Sequence, residues 1–242
     1  MAIQSSIITL TGKIGNISFY KTREGYRARE KGGVSKERIR TDPNFIRTRE
    51  NNQEFGSAAT ATRFLKNGFR NSVLRAADPG FHPRLQALAI RALQTDPDHT
   101  RGNRTLAAAD LEVMKGLKLN SARTLQGALN NYYWVEKHQD RLIFHLPDCI
   151  PEHFKAPSNT THFRLFAQRL AIDFTAQEMD MVQMETDYLP MELPSTDLSF
   201  SLVFDPPSHR QQLFVVGLEF FKIVAGIPFP AAKKKYNVAE VV

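Results

Sequence analysis

A single cysteine, Cys149, excludes any intrachain disulfide, so nothing here is a stapled secreted scaffold. No long hydrophobic run occurs either. The longest, near Leu213 to Val224, has Gln211, Gln212, Glu219 and Lys222 in or beside it, far short of the roughly 20 apolar residues of a membrane helix. The opening, MAIQSSIITLTGKIG, lacks a basic segment ahead of a long apolar core, so no secretory signal is expected and the chain is read as cytoplasmic at synthesis. No GxSxG elbow, HExxH, Walker loop or GxGxxG is present. No cofactor is therefore implied, and a non-catalytic protein is expected, although triads built from distant residues leave no such motif.

What remains is an ordinary globular composition, 42% hydrophobic and 24% charged, with enough chain for a substantial core. The net charge of +7 is unevenly spread. Residues 1–124 hold 22 Lys plus Arg against 11 Asp plus Glu, and residues 125–242 hold 10 against 14. A basic front half and an acidic back half suit either a polyanion partner or head-to-tail association between copies.

The most patterned stretch is Thr11 to Gly33. Ile17 and Phe19 alternate with Ser18 and Tyr20, Thr22 to Gly25 supplies a short loop, and a return strand follows, which together spell a β-hairpin. The return strand sets Tyr26, Ala28 and Glu30 on one face and Arg27, Arg29 and Lys31 on the other. Ile7 to Leu10 reads as a third strand. The motifs GKIGNISFYK (12–21) and GYRAREKGG (25–33), with Arg47-Thr-Arg-Glu-Asn, Glu54-Phe-Gly, Ala156-Pro, Thr161-His-Phe-Arg and Gly217-Leu-Glu-Phe-Phe, resemble a family of uncharacterised proteins common in Bacteroidetes-type bacteria. The resemblance implies a bacterial source and supplies no catalytic residue.

Residues 34–44 are polar and read as a surface linker ending in the turn Asp42-Pro43. A long helix is expected over about Arg47 to Ala77, with Phe55, Ala58, Thr62, Leu65, Phe69 and Val73 as its buried stripe and Arg63, Lys66, Asn67 and Arg70 opposite. Gly56 and Gly68 invite close approach of another element. A second helix runs from His82 to about Thr95 and a third from Thr105 to Leu117, while 120–131 suits either a short helix or a loop. From Tyr132 the period becomes two. Strands are expected at 132–134, 141–144, 162–174, 179–188, 197–204, 212–223 and 237–242, with turn residues between them and no helices, which argues an antiparallel sandwich. The expected fold class is α+β, organised as an N-terminal hairpin arm (1–33), a linker and helical region (34–131) and a β-sandwich (132–242).

Candidate chemistry is sparse. His138, His145, Cys149 and His153 lie close in sequence but match no zinc spacing, and strand alternation turns some away from the others. No metal site is assigned. The interaction candidates are Arg27, Arg29 and Lys31, the helix cations Arg63, Lys66 and Arg70, and the aromatics Phe19, Tyr20 and Tyr26. These suit an acidic protein surface, or nucleic acid with a tyrosine for stacking, or a solvated edge strand. The leading expectation is a structural protein that self-associates or docks on a larger assembly, as arm-bearing β proteins of virions, tails and filaments do. Nucleic-acid binding is the alternative. The last strand, 237–242, is an edge candidate able to pair with another chain.

Overall fold

The hairpin forms where the alternation places it. In the computed structural model, which describes residues 2–5, 8–30, 32–206, 211–232 and 235–242, β3 (Ile17–Thr22) and β4 (Gly25–Glu30) pair antiparallel from Thr22↔Gly25 to Ile17↔Glu30. Gly25 takes φ +116°, a conformation open to glycine and strained for other residues. Two further strands complete a four-stranded sheet, β1 (Ala2–Ile3) beyond β4 and β2 (Gly12–Ile14) beyond β3. The strand expected at Ile7 to Leu10 is not formed over its described residues; Ile7 itself lies outside them. The Gln4 amide takes the backbone of Leu10 instead, accepting from its N–H at 2.9 Å and donating to its carbonyl at 3.3 Å.

The expected linker at 34–44 is also structured. Ser35 caps helix α1 (Lys36–Thr41) by accepting from Arg38 N–H at 3.2 Å, and Asp42 caps the 3-10 turn Pro43–Phe45. A serine with a carboxylate two residues on was the local signal.

The chain divides into two compact units, Met1–Arg49 and Glu50–Val242, the division falling in the first turn of α2 (Ile46–Gly68). In the second unit, one expected long helix becomes two. Phe69 sits at φ −74°, ψ 0°, and separates α2 from α3 (Arg70–Ala76). Ala58, Thr62, Leu65 and Phe69 are buried, but Phe55 is 56% exposed. Glu54 turns inward in its place because its carboxylate accepts from Gly102 N–H at 2.9 Å, a long-range bond with no local pattern. Helix α4 (Phe81–Leu93) follows as expected. The helix expected at Thr105 to Leu117 shrinks to one 3-10 turn, Leu111–Met114. Backbone there is held from outside: Thr105 N–H donates to Asp96, Asp110 N–H to Thr95, and the Gln211 amide donates to the carbonyls of Ala107 and Ala109. A short helix, α5 (Leu125–Leu129), settles the ambiguous stretch.

The sandwich is present. β5 (Trp134–Lys137), β6 (Arg141–Cys149) and β10 (Thr196–Val203) form one sheet, ordered β10-β6-β5. The other runs β12-β11-β7-β8, from β12 (Ile227–Pro230), β11 (Gln211–Val224), β7 (His162–Asp173) and β8 (Glu178–Glu185), with β9 (Leu189–Pro190) on β7 and β13 (Val238–Val241) on β11. Parity divides the cores. Phe163, Leu165 and Ala167 of β7, with Phe214, Val216 and Leu218 of β11, meet Leu142, Phe144 and Phe200 of the smaller sheet. The alternate residues Phe166, Leu170, Leu213 and Val215 meet Ala58, Leu65, Phe81 and Leu85 of the helices. β7 and β11 are thus apolar on both faces because each face is covered.

The last strand is not an open edge. Gly116 and Leu119 N–H donate to the carbonyls of Val241 and Ala239, and Val241 N–H donates to Leu117. The backbone groups that would have received another chain are already spent on this loop.

One carboxylate ties the helical layer together. Asp78 accepts from Ser121 N–H and Oγ (both 2.7 Å), Gly80 N–H (2.8 Å) and Arg84 (3.0 Å). Desolvation raises its pKa, but the Ser121 and Arg84 contacts outweigh it and hold the carboxyl down to about 2. A depressed folded pKa stabilises above the ordinary carboxylate range and loses that contribution as pH falls toward 2. Asp78→Asn is expected to cost about 1 kcal/mol at neutral pH once solvent screening is allowed for. The gap should close between about pH 4 and pH 2, as denaturant midpoints across that range would show. A gap constant with pH would refute the ionic role.

Candidate interaction site

In the N-terminal unit the register puts Arg27 opposite Tyr20 and Arg29 opposite Ser18 on one face, and Tyr26, Ala28 and Phe19 on the other, as the alternation implies. The Arg29 guanidinium lies 5.8 Å from the Tyr20 ring centre, Lys21 lies 5.5 Å from that of Tyr26, and Arg27 pairs with Glu24 at 2.7 Å. Lys31 lies outside the described residues. None of the unit's described residues is buried. Ile3, Ile8, Leu10, Ile14, Ile17 and Val34 are all exposed. Residues 1–49 hold 11 Lys plus Arg against 4 Asp plus Glu, net +7, and the rest of the chain holds 21 of each. The protein's whole excess charge therefore sits on the N-terminal unit, +4 of it on residues 1–33, which carry the sheet, and +3 on residues 34–49.

Arg63, Lys66 and Arg70 belong to the second unit, exposed along α2 and at the start of α3. The hairpin and helix cations are thus carried by different units.

The histidine and cysteine cluster does not converge. His138 and His145 both approach Glu136 at 3.5 Å, with Trp134 stacked 4.7 Å from the His145 ring. Asp148, at φ +45°, interrupts the β6 register, and Cys149 points into the core. Among the described residues no three His, Cys, Asp or Glu gather as metal ligands. Burial pushes the Cys149 thiol up to about 11, the opposite of an activated nucleophile.

A pocket of about 890 Å³ is lined by Leu74, Arg75, Asn120, Glu219, Phe221 and Asn237 among others. Its polar groups are already engaged. Asn120 donates to the carbonyls of Lys235 and Asn237, Asn237 donates to that of Arg75, and Glu219 is held by Arg75 and Arg164. Ser121 donates to Asp78 with no histidine in the lining, so no nucleophile–base pair exists there. No helix among the described residues is long and apolar enough to cross a membrane.

Comparison with protein-family models, curated proteins and solved structures returned no match.

Proposed function

We propose that this chain is a non-catalytic assembly subunit whose N-terminal sheet docks on another protein chain. The observation behind the reading is the missing core: a four-stranded sheet with no buried residue among those described, and Ile3, Ile14 and Ile17 exposed on its strands. Small sheets need an apolar face covered to be stable, and covering one yields roughly 25 cal/mol per Å². Phe19 and Tyr26 give one face of the sheet the aromatic area typical of interface centres, and Tyr20 lies with Arg27 and Arg29 on the charged face opposite.

Light scattering on the full chain and on a chain lacking residues 1–33 tests this directly. Both hydrophobic cores lie wholly within residues 58–241, so the truncation spares them. The full chain should be multimeric or captured by a partner, and the truncated chain monomeric. A full chain that stays monomeric at every concentration and recovers no partner overturns the reading. Nucleic-acid binding is the second reading, favoured by Arg29 beside the Tyr20 ring. It requires affinity that falls steeply with salt and with the loss of Arg27 and Arg29.

A further inference from the structure

The acidic counterpart of the N-terminal sheet lies in the same chain. Residues 170–206 hold eight Asp and Glu and no Lys or Arg. They build β8, β9 and β10, and Glu178, Asp180, Asp187, Glu192 and Asp205 are exposed. Arg169 pairs with Asp180, and Arg75 and Arg164 pair with Glu185, which leaves most of the run facing solvent. β8 also ends its sheet. Among the described residues no strand pairs with its outer edge, and Met181 beside it is 53% exposed.

Resting on the assembly reading above, we infer that the partner is a second copy: the basic N-terminal sheet of one molecule seats on the acidic β8 edge of the next. Three features select this occupant. The +4 of residues 1–33 meets an acidic run of eight carboxylates, three of them in β8 itself (Glu178, Asp180 and Glu185). Like edges repel, since β8 against β8 brings acid to acid and sheet against sheet brings base to base, so only the head-to-tail pairing is attractive. A nucleic acid would neutralise Arg27 and Arg29 on one face but leave Ile14 (61% exposed) and Ile17 on the other in water, whereas a strand set along the β2 edge, with Met181 in it, borders both faces. The contact is heterologous, so each copy both gives and receives a sheet, and masses above the dimer follow.

Light scattering of the full chain at about 50 mM and about 500 mM salt is the first measurement. Association should weaken about tenfold or more as screening shortens the reach of the charges. Two variants follow, Arg27→Glu/Arg29→Glu and Glu178→Lys/Asp187→Lys, each confirmed folded by circular dichroism. Each should be monomeric alone, and mixing them should restore a complex, because the unreversed sheet of one meets the unreversed edge of the other. Multimers that dissolve on truncation of residues 1–33 but ignore salt and both reversals overturn this inference while leaving the assembly reading intact. A full chain monomeric at low salt and all concentrations overturns the second-copy assignment, and one that also recovers no partner overturns the assembly reading as well. Assembly only on added RNA or DNA overturns the second-copy assignment.

Discussion

Gly217→Ala should unfold at markedly lower denaturant than the native chain, with an expected stability loss of about 3 kcal/mol. The reason is the packing of β11 against β7 and β13. Gly217 stands opposite Phe166 on β7 and Ala239 on β13. A methyl there runs into the Phe166 ring and comes within 2.8 Å of the Val238 carbonyl oxygen. The ring cannot swing away: Phe166 is fully buried, with the Arg75 guanidinium 4.8 Å from its centre. The carbonyl is backbone. Overpacking a site bounded by an immobile ring and a carbonyl sits at the upper end of the usual 1–3 kcal/mol cost. Gly68 makes the control. The nearest atoms to a methyl there are the thioether end of Met179 and Leu170 Cδ1, and a methionine side chain shifts readily. Alanine also regains about 1 kcal/mol of helix propensity, so Gly68→Ala should change stability by less than about 1 kcal/mol. Equilibrium unfolding of the two variants side by side checks the contrast. Adding Phe166→Leu should recover part of the Gly217→Ala loss and not all of it, since the carbonyl contact remains. Equal costs at the two glycines would show that ring and thioether yield alike.

The sandwich was legible because its signal is local. Leu198 to Phe204 alternate with serines, Leu213 to Val224 is apolar on both faces, and parity alone then sorts each side chain to its core. Gly68 was legible as a point of close approach, and Gly56, which meets nothing, was not distinguishable from it by sequence. What escaped was set by distant partners. Glu54 turns inward for Gly102 N–H, residues 105–117 are held by Asp96, Thr95 and Gln211, and the last strand is sealed by residues 116–119. The hairpin faces were readable from alternation, but the absence of a core beneath them was not, because burial is a property of what lies opposite. The acidic run at 170–206 was visible all along. Counting charge by halves diluted it with the basic residues on either side.

Replacing Glu219 with leucine should cost about 3–5 kcal/mol, the usual penalty for stranding a buried charge. Its side chain is only 7% exposed, and one oxygen accepts from Arg164 Nη2 at 2.7 Å and from Arg75 Nη1 at 3.1 Å. Both arginines are themselves mostly buried. Arg164 lies 5.1 Å from the ring centres of Tyr188 and of Phe221, and Arg75 lies 4.8 Å from that of Phe166, so each guanidinium would have to leave its ring packing to be fully solvated. Glu185 is the other acid in the cluster, pairing with Arg75 and with Arg164 Nη1 at 2.6 Å. Desolvation raises the Glu185 pKa, but the Arg75 hydrogen bond and the two positive charges outweigh it and keep it below the ordinary range. Without Glu219, one carboxylate faces two buried cations. The damage should begin where Arg75 anchors α3 to the sheet, so amide exchange in residues 70–76 should rise before that of β7. Removing a cation together with the acid offers the decisive comparison. A Glu219→Leu/Arg164→Met chain should be more stable than Glu219→Leu alone, because the double change deletes charge and counter-charge together. If Glu219→Leu proves as stable as the native chain, the cluster is screened by water and does not fasten the helix to the sheet.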